Sequence, residues 1–152
     1  MAAGHCAGRG LSTLVLDKNE MPGRKLRITG KGRCNVTNNC PPEEVISAAR
    51  GGRFLYSALS GFPPGDTMAF FEGLGVPLKT ERGRRVFPQS DRAADIAGAL
   101  ARFAGGAELR RDTVTEVLVE NGHITGVRTN KGYYKGRNVL LACGGASYPA
   151  TG

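Results

Sequence analysis

Apolar side chains recur at helical spacing through the middle of the chain. They lie three or four residues apart in three stretches, residues 53–60, 66–74 and 91–104. This period predicts three helices. Asp66 stands where it can cap the second of them. Proline and acids from Pro41 to Glu44 predict the start of a further helix, because both suit a first helical turn.

Two shorter runs are apolar on both faces and predict buried parallel strands. One is LSTLVLD, ending at Asp17, and the other is NVLLAC, ending at Cys143. Small residues from Met1 to Arg9 predict a helix that ends at Gly10 and leads into the first strand. A helix followed by such a strand is typical of the second half of a βαβ unit, whose first half is expected before Met1.

From residue 108 the period changes to two. ELRRDTVTEVLVE alternates as one strand, and Asn121-Gly122 is a strong hairpin signal. HITGVRT is the predicted return strand, and Asn130-Lys131-Gly132 a second turn into YYKGR. The pattern therefore predicts a three-stranded antiparallel meander.

Together these elements predict an α/β fold in one domain spanning residues 1–152. Residues 1–37 hold the helix, the first strand and a basic segment. Residues 38–105 are mostly helical, and residues 106–152 hold the meander and the strand that ends in Gly144-Gly145.

The composition bears on where the protein is located and on whether it binds a metal. No apolar run approaches the roughly 20 residues that span a bilayer, and the N-terminus lacks a secretory pattern, so a cytoplasmic location without a membrane partner is expected. The four cysteines contain no Cys-x-x-Cys pair. We therefore expect no metal site, because structural zinc sites usually take their ligands in close pairs.

The charge points to an anionic partner. The formal net charge is +8, and residues 1–40 contain seven Lys and Arg against two acids. A small basic nucleic-acid-binding module is one alternative. The chain has no tryptophan and its basic segment has no aromatic residues for base stacking, which argues against that alternative.

The basic segment, residues 23–37, contains the main candidate chemistry. It does not match a phosphate-binding P-loop, because Gly30-Lys31 is followed by Gly32 and Lys25 stands where the first glycine belongs. Glycines among basic residues instead predict a nest of main-chain N–H groups for a pyrophosphate or a heterocycle. Asp17 ends its strand where Rossmann-like folds place an acid that binds a ribose hydroxyl.

Four blocks of sequence carry a resemblance to a known family. They are DKNEMPGRKLRITGKGRCNVTNN, FLYSALSGF, GVPLKTERGRRVFPQSD and LLACGGASYPATG. From Leu11 onward the chain resembles the bacterial NAD(P)/FAD-dependent flavoproteins of the aminoacetone oxidase-like group, which belong to the glutathione-reductase-type class. The resemblance implies an oxidoreductase that transfers hydride or electrons through FAD, with NAD(P)H as a candidate donor and an unknown small-molecule substrate.

The resemblance also implies which residues contact FAD. Asp17 corresponds to the acid that holds the adenosine ribose, where glutamate is usual. Val114 corresponds to the strand residue that offers its backbone to adenine. The remaining implied contacts are Arg24, Lys25, Thr29, Gly30, Gly32, Arg33, Cys34 and Asn35 in the basic segment, and Cys143, Gly144, Gly145 and Ala146 in the second glycine motif.

Two roles in the basic segment are predicted more specifically. Arg33 or Lys31 would place a positive charge near the reduced flavin ring. Cys34 would be a redox-active thiol if its basic neighbours lower its pKa. The resemblance names no catalytic acid or base.

The family pattern extends beyond both ends of this chain. Its glycine-rich first loop would precede Met1, and a substrate-facing domain would follow Gly152. The sequence is therefore expected to be an incomplete FAD domain that is inactive alone and able to self-associate through exposed sheet edges.

Overall fold

A computed structural model describes residues 1–145. It divides into two compact units. The strand unit comprises Met1–Lys25 and the residues from Ala104 onward, and the helical unit comprises Leu26–Phe103.

The elements follow one another as an α/β chain. The helices are α1 (Ala2–Gly8), α2 (Arg24–Ile28), α3 (Pro42–Ala48), α4 (Tyr56–Gly61), α5 (Pro64–Gly73) and α6 (Ala93–Phe103). The strands are β1 (Leu14–Asp17), β2 (Thr37–Asn38), β3 (Leu78–Glu81), β4 (Arg85–Pro88), β5 (Glu108–Arg111), β6 (Val114–Glu120), β7 (His123–Thr129) and β8 (Tyr133–Lys135). Short 3₁₀ turns occupy Thr29–Gly32, Gly52–Leu55 and Arg82–Arg84.

The strand unit contains the first predicted parallel strand, although its partner was not predicted. Strand β1 pairs in parallel with β5, with Leu14 opposite Glu108 and Asp17 opposite Arg111. The helix before β1 is confirmed, and Gly10 after it has a φ of 74°. The strand is less buried than predicted: all four residues of β1 are half-buried.

The expected single strand over 108–120 is wrong, because it forms two strands. Residues 108–111 pair in parallel with β1, whereas residues 114–120 pair antiparallel with β7. The change falls at Asp112-Thr113, where the carboxylate of Asp112 accepts a hydrogen bond from the following N–H at 2.8 Å. Aspartate favours such local bonds over a continuous strand ladder.

The antiparallel meander is confirmed as the sheet β6–β7–β8. Asn121 and Gly122 have φ values of 50° and 78°, as a type I′ hairpin turn requires. The second predicted turn is also present, since the N–H of Thr129 donates to the carbonyl of Gly132 at 2.7 Å.

The prediction of a buried parallel strand ending at Cys143 is wrong for the described residues. Residues 138–145 form no strand, and Leu140 and Leu141 are 72% and 71% exposed. A parallel strand needs a neighbour to satisfy its backbone groups. Among residues 1–145, the only parallel pairing is that of β1 with β5. Ala146 and the residues after it lie outside the described part of the chain.

The helical unit contains a sheet that the apolar pattern did not predict. Strand β4 lies between β2 and β3, and both neighbours run antiparallel to it. Buried side chains of this sheet and of α5 and α6 form the core, with Phe87, Ile96 and Val86 fully buried. Phe70 meets Phe103 edge-on, with ring centroids 5.0 Å apart.

The predicted helices of this unit are present, with two differences. Helix α3 begins at Pro42 with Glu43 and Glu44 in its first turn, as predicted. Helix α5 begins after Pro63, so Asp66 lies inside the first turn and does not cap it. Phe54 lies in a 3₁₀ turn and is 76% exposed, so it does not contribute to the apolar face predicted for residues 53–60.

Candidate functional site

The carboxyl ends of β1 and β5 meet because the two strands are parallel. Crevices at this edge of an α/β sheet are where such folds bind ligands. A hollow of about 210 Å³ opens there in the strand unit. Its lining residues are Asp17, Asn19, Glu20, Pro22, Leu109, Arg110 and Arg111.

Asp17 is held at the mouth of this hollow by a local turn. The main-chain N–H and the side-chain amide of Asn19 both donate to Oδ1 of Asp17, each at 2.9 Å. In turn, Nη1 of Arg24 donates to Oδ1 of Asn19 at 3.3 Å. A carboxylate has about four lone-pair sites, and the Asn19 bonds use two of them. The structure therefore brings Asp17 and Arg24 together through Asn19.

The second glycine motif lies near Lys25 in the strand unit. Nζ of Lys25 contacts the carbonyl oxygen of Gly145 at 3.5 Å, across 120 positions of sequence. Gly144 has a φ of 78°, which other residues rarely adopt, and Cys143 is exposed. Lys25 and the Gly144-Gly145 pair are thus neighbours in the strand unit.

Val114 begins β6 beside an irregularity in the ladder. It pairs with Thr129, whereas Glu116 pairs with Arg128, so Thr115 is an extra residue. Such bulges leave a residue unpaired and redirect the strand, often beside a site. Val114 itself is 40% exposed.

In the helical unit, the glycine loop (residues 29–35) has the left-handed backbone that its sequence predicts. Gly30, Lys31, Gly32 and Cys34 have φ values of 57°, 59°, 85° and 63°. Gly30 also allows a close approach, because a Cβ there would lie 2.9 Å from the ring of Phe87. A side chain at this position would therefore be strained twice, by its φ and by the ring.

Two polar side chains hold the same loop in place. Oγ1 of Thr29 donates to the carbonyl of Leu26 at 2.9 Å. With its amide oriented to satisfy its neighbours, the side chain of Asn35 donates to the carbonyls of Val86 and Thr37 at 3.2 and 3.0 Å. These contacts tie both ends of the glycine loop to the helical unit.

Arg33 is paired with two carboxylates. Its Nη1 lies 2.9 Å from Oε1 of Glu81 and 3.3 Å from Oδ1 of Asp91. The guanidinium also lies over the ring of Phe87, 4.0 Å from its centroid. The hydrogen bond to Glu81 is the main cause that raises the pKa of Arg33. The guanidinium thus anchors the loop to β3 and β4.

Cys34 does not meet the condition for a reactive thiol. Its side chain is 1% exposed and belongs to the apolar core with Phe71 and Ile96. Burial raises the pKa of the thiol, and a hydrogen bond with Thr29 only partly opposes this. Because the thiolate is the reactive form, the predicted lowering of the pKa by basic neighbours is wrong.

The predicted contact residues thus belong to two groups. Asp17, Arg24, Lys25, Val114, Cys143, Gly144 and Gly145 lie in the strand unit, and Thr29, Gly30, Gly32, Arg33, Cys34 and Asn35 lie in the helical unit. The sequence analysis missed Asn19 and Arg111. The spacing Asp-x-Asn after a strand was the available signal for Asn19, since Asp side chains commonly bond to the backbone two residues on.

A larger hollow of about 430 Å³ lies in the helical unit. It is lined by Gly75, Val76, Pro77, Gln89, Ser90, Asp95 and Arg102. None of the predicted contact residues lines it. Its polar contact between Ser90 and Asp95, 2.6 Å long, is local to the start of α6. The smaller hollow is the better candidate because it lies at the strand ends.

Within residues 1–145, no helix is both long and apolar enough to cross a membrane. The same residues contain no group of three or more His, Cys, Asp and Glu side chains that could hold a metal ion.

The chain is similar in sequence to a known family and to a curated relative. The family described as "HI0933-like protein Rossmann domain" matches residues 1–152. A 3-dehydro-bile acid delta(4,6)-reductase from Clostridium scindens is 32% identical over 145 residues, which cover 91% of this chain and 34% of that protein. The chain therefore spans about a third of the length of this curated relative.

Two solved structures align with this chain. A glycine oxidase from Bacillus cereus aligns with a TM-score of 0.51 at 13% identity, covering 90% of this chain and 51% of that one. An L-proline dehydrogenase from P. horikoshii aligns with a TM-score of 0.47 at 17% identity, covering 88% and 46%. The first likeness confirms the predicted α/β fold class.

Proposed function

The chain belongs to the HI0933-like Rossmann-domain family, and from this premise we propose that it binds FAD as part of an oxidoreductase. Cofactor binding, and not substrate turnover, is what we propose for these 152 residues. The observation that carries the proposal is Asp17, held by Asn19 at the joined ends of two parallel strands.

The hollow beside Asp17 suits the adenosine half of FAD. Pockets for whole drug-sized ligands usually measure about 300–1,000 Å³. At about 210 Å³, this hollow is large enough for only a part of FAD. The lone pairs of Asp17 that Asn19 leaves unused can accept hydrogen bonds from ribose hydroxyls. Arg111, which lines the hollow, adds positive charge for the neighbouring pyrophosphate, whereas the charge of Arg110 is paired with Glu108.

In the glycine loop we propose main-chain contacts. Its left-handed residues give the loop the kind of turn conformation in which anion-binding nests form. The N–H groups of Arg33 and Cys34 already bond the carbonyls of Gly30 and Thr29, so we propose the contacts for the residues before them. The Arg33 guanidinium is already bonded to Glu81 and Asp91, so a contact from it would require exchanging these partners. Arg24 is the better candidate for a pyrophosphate contact, since its guanidinium bonds the neutral amide oxygen of Asn19.

Bound FAD supplies hydride and electron transfer, and the protein supplies placement and electrostatics. We propose reduced nicotinamide as the electron donor and a small organic molecule as the substrate, because a curated relative is named as a reductase. An oxidase activity of the aminoacetone oxidase type is the second candidate, carried by the sequence blocks that resemble that group. Oxygen uptake separates the two, since only the oxidase consumes oxygen in step with substrate.

Substitution of Asp17 tests the proposed contact. Asp17→Ala should weaken FAD binding about tenfold or more, the usual effect of losing a hydrogen bond to a charged group. Asp17→Glu should retain binding, because a carboxylate remains. Titration of flavin fluorescence measures both, with Asp66→Ala in α5 as the control. Equal affinity of Asp17→Ala and the parent chain would refute the contact.

A further inference from the structure

Asp112 is a buried carboxylate that the proposed cofactor site does not use directly. Its side chain is 4% exposed, although aspartate is rarely buried without partners. Three donors surround it: the N–H of Thr113 at 2.8 Å, Oγ1 of Thr129 at 2.9 Å and the hydroxyl of Tyr134 at 3.1 Å. The buried charge is therefore fully compensated by hydrogen bonds.

These bonds join the strands of the strand unit to one another. Asp112 directly follows β5, Thr113 directly precedes β6, Thr129 ends β7, and Tyr134 lies in β8. The main-chain N–H of Asp112 donates to the carbonyl of Asp17, the last residue of β1, at 3.0 Å. One residue thus contacts the parallel pair and the whole meander.

The contacts of Thr129 show why the carboxylate form matters. Oγ1 of Thr129 already receives the N–H groups of Lys131 and Gly132, at 3.2 and 3.1 Å. Its hydroxyl proton is then available for an acceptor, and two lie within reach: Oδ2 of Asp112 at 2.9 Å and the carbonyl oxygen of Gly132 at 3.1 Å. An amide N–H₂ in the place of this carboxylate oxygen would add a third donor to an oxygen with two lone pairs.

The charge of Asp112 is favoured by its surroundings. Burial acts to raise the pKa of the carboxyl group, but bonds from Thr129, the Thr113 N–H and Tyr134, with the charge of Lys131, outweigh it. The pKa is consequently lowered, and Asp112 is ionised at neutral pH.

We propose that Asp112 is a positioning residue that sets the affinity of the strand unit for the adenosine half of FAD. Its main-chain N–H holds the carbonyl of Asp17. Its carboxylate fixes the backbone at this point by bonding the Thr113 N–H, Tyr134 and Thr129, the strand partner of Val114. This inference rests on the proposed function, since it assigns adenosine binding to the same strand ends.

The direction of the change in ADP affinity distinguishes a positioning role of Asp112 from an effect of its charge. ADP is an anion, so removing a negative charge from the protein should strengthen its binding. Misplacement of Asp17 and Val114 should weaken it. A loss of ADP affinity in Asp112→Asn therefore cannot come from the charge change itself.

The test measures the binding of ADP and of FMN to the parent chain and to Asp112→Asn by isothermal titration at 10 °C. We expect ADP affinity to fall about three- to tenfold, as for one impaired hydrogen bond, while FMN affinity stays within twofold. Glu120→Gln removes an exposed carboxylate at the far end of β6 and should change neither affinity. Circular dichroism checks that each variant is folded at this temperature.

Each outcome decides the proposal. If Asp112→Asn melts at a lower temperature but binds ADP as the parent does, Asp112 is only structural and the proposal is wrong. Equal losses for ADP and FMN also overturn it. If Asp112→Asn does not fold, Tyr134→Phe removes one of the three bonds, and unchanged ADP affinity there contradicts the proposal. A parent chain that binds neither probe refutes the proposed function itself, and the role of Asp112 with it.

Discussion

Cys34 combines a left-handed backbone with a side chain in the apolar core of the helical unit. The loop that contains the left-handed glycines therefore buries its thiol. The residues next to Cys34 in sequence do not indicate that the thiol is buried. Their basic side chains suggest instead that its pKa is low. The direction of the side chain depends on the φ of 63°, which only the structure supplies.

Thiol labelling should distinguish Cys34 from an exposed cysteine. With iodoacetamide at pH 8 under native conditions, Cys143 should react readily and Cys34 only after denaturant is added, because burial raises its pKa and blocks access. Mass spectrometry of the peptides reports both sites. Rapid native labelling of Cys34 would show that the loop does not bury its thiol.

Acid should release the contact between Arg33 and β3. The pKa of Glu81 is lowered chiefly by its hydrogen bond with Arg33, and that of Asp91 chiefly by its bond with Lys79. Carboxylates with lowered pKa values stabilise the fold above their ordinary values of 4.5 and 3.8, and this contribution is lost as pH falls through the lowered values. Thermal melts from pH 6 to pH 2 should show the parent losing stability more steeply below pH 4.5 than Glu81→Gln. Parallel curves would contradict the assignment.

At the scale of elements, the meander depends on one tight approach between β7 and β8. Gly126 pairs with Lys135, and a Cβ on Gly126 would lie 2.2 Å from the carbonyl oxygen of Tyr134. Gly132, in the turn that follows β7, has a similar φ of 155° but open space around it. A comparison of the two positions therefore separates the effect of the close contact from the effect of the backbone angle.

Alanine at these two positions should have unequal effects. Gly126→Ala should lower the free energy of unfolding by about 1–3 kcal/mol more than Gly132→Ala, because backbone must move to accommodate the added methyl group. Urea denaturation followed by circular dichroism provides the comparison. Equal losses would mean that β8 does not pack against Gly126 as described.

Much of this element order could be predicted from the sequence. Asn121-Gly122 predicted the hairpin because the required left-handed turn restricts the residues that fit. The splitting of β5 from β6 could not be predicted, because the partner of β5 is β1, more than ninety positions away. The exposure of Leu140 and Leu141 was not predicted for the same reason. Burial of an apolar run depends on which other segments pack against it, and its own sequence does not specify them.

The sequence predicted which residues belong to the candidate site, but not how they contact one another. Asp17 was identified by its place after an apolar run, and its place at joined strand ends fits that prediction. The partners Asn19 and Asp112 were not identified, because their roles arise from hydrogen bonds within the folded strand unit. The salt bridges of Arg33 likewise depend on β3, 48 positions further along the chain.

At the scale of the whole molecule, the net charge of +8 is compatible with either a nucleotide cofactor or a nucleic acid. The dependence of binding affinity on salt concentration distinguishes these two ligands. A protein that neutralises six to ten phosphates loses about 10³- to 10⁵-fold in affinity between 50 and 200 mM salt. FAD carries only a pyrophosphate, so its affinity should fall about tenfold or less over this range.

Titrations of FAD and of a 20-nucleotide single strand at both salt concentrations check this prediction. We expect FAD binding at both concentrations and no strand binding at 200 mM. Strand binding that persists at 200 mM, without FAD binding, would favour the basic nucleic-acid module.

The most direct test of the account is the visible absorption spectrum of the chain after incubation with FAD and removal of free flavin by desalting. We expect flavin bands that elute with the protein and are strongly reduced in Asp17→Ala, with Asp66→Ala unchanged. A colourless parent chain that is folded by circular dichroism would contradict the proposal that these residues bind FAD.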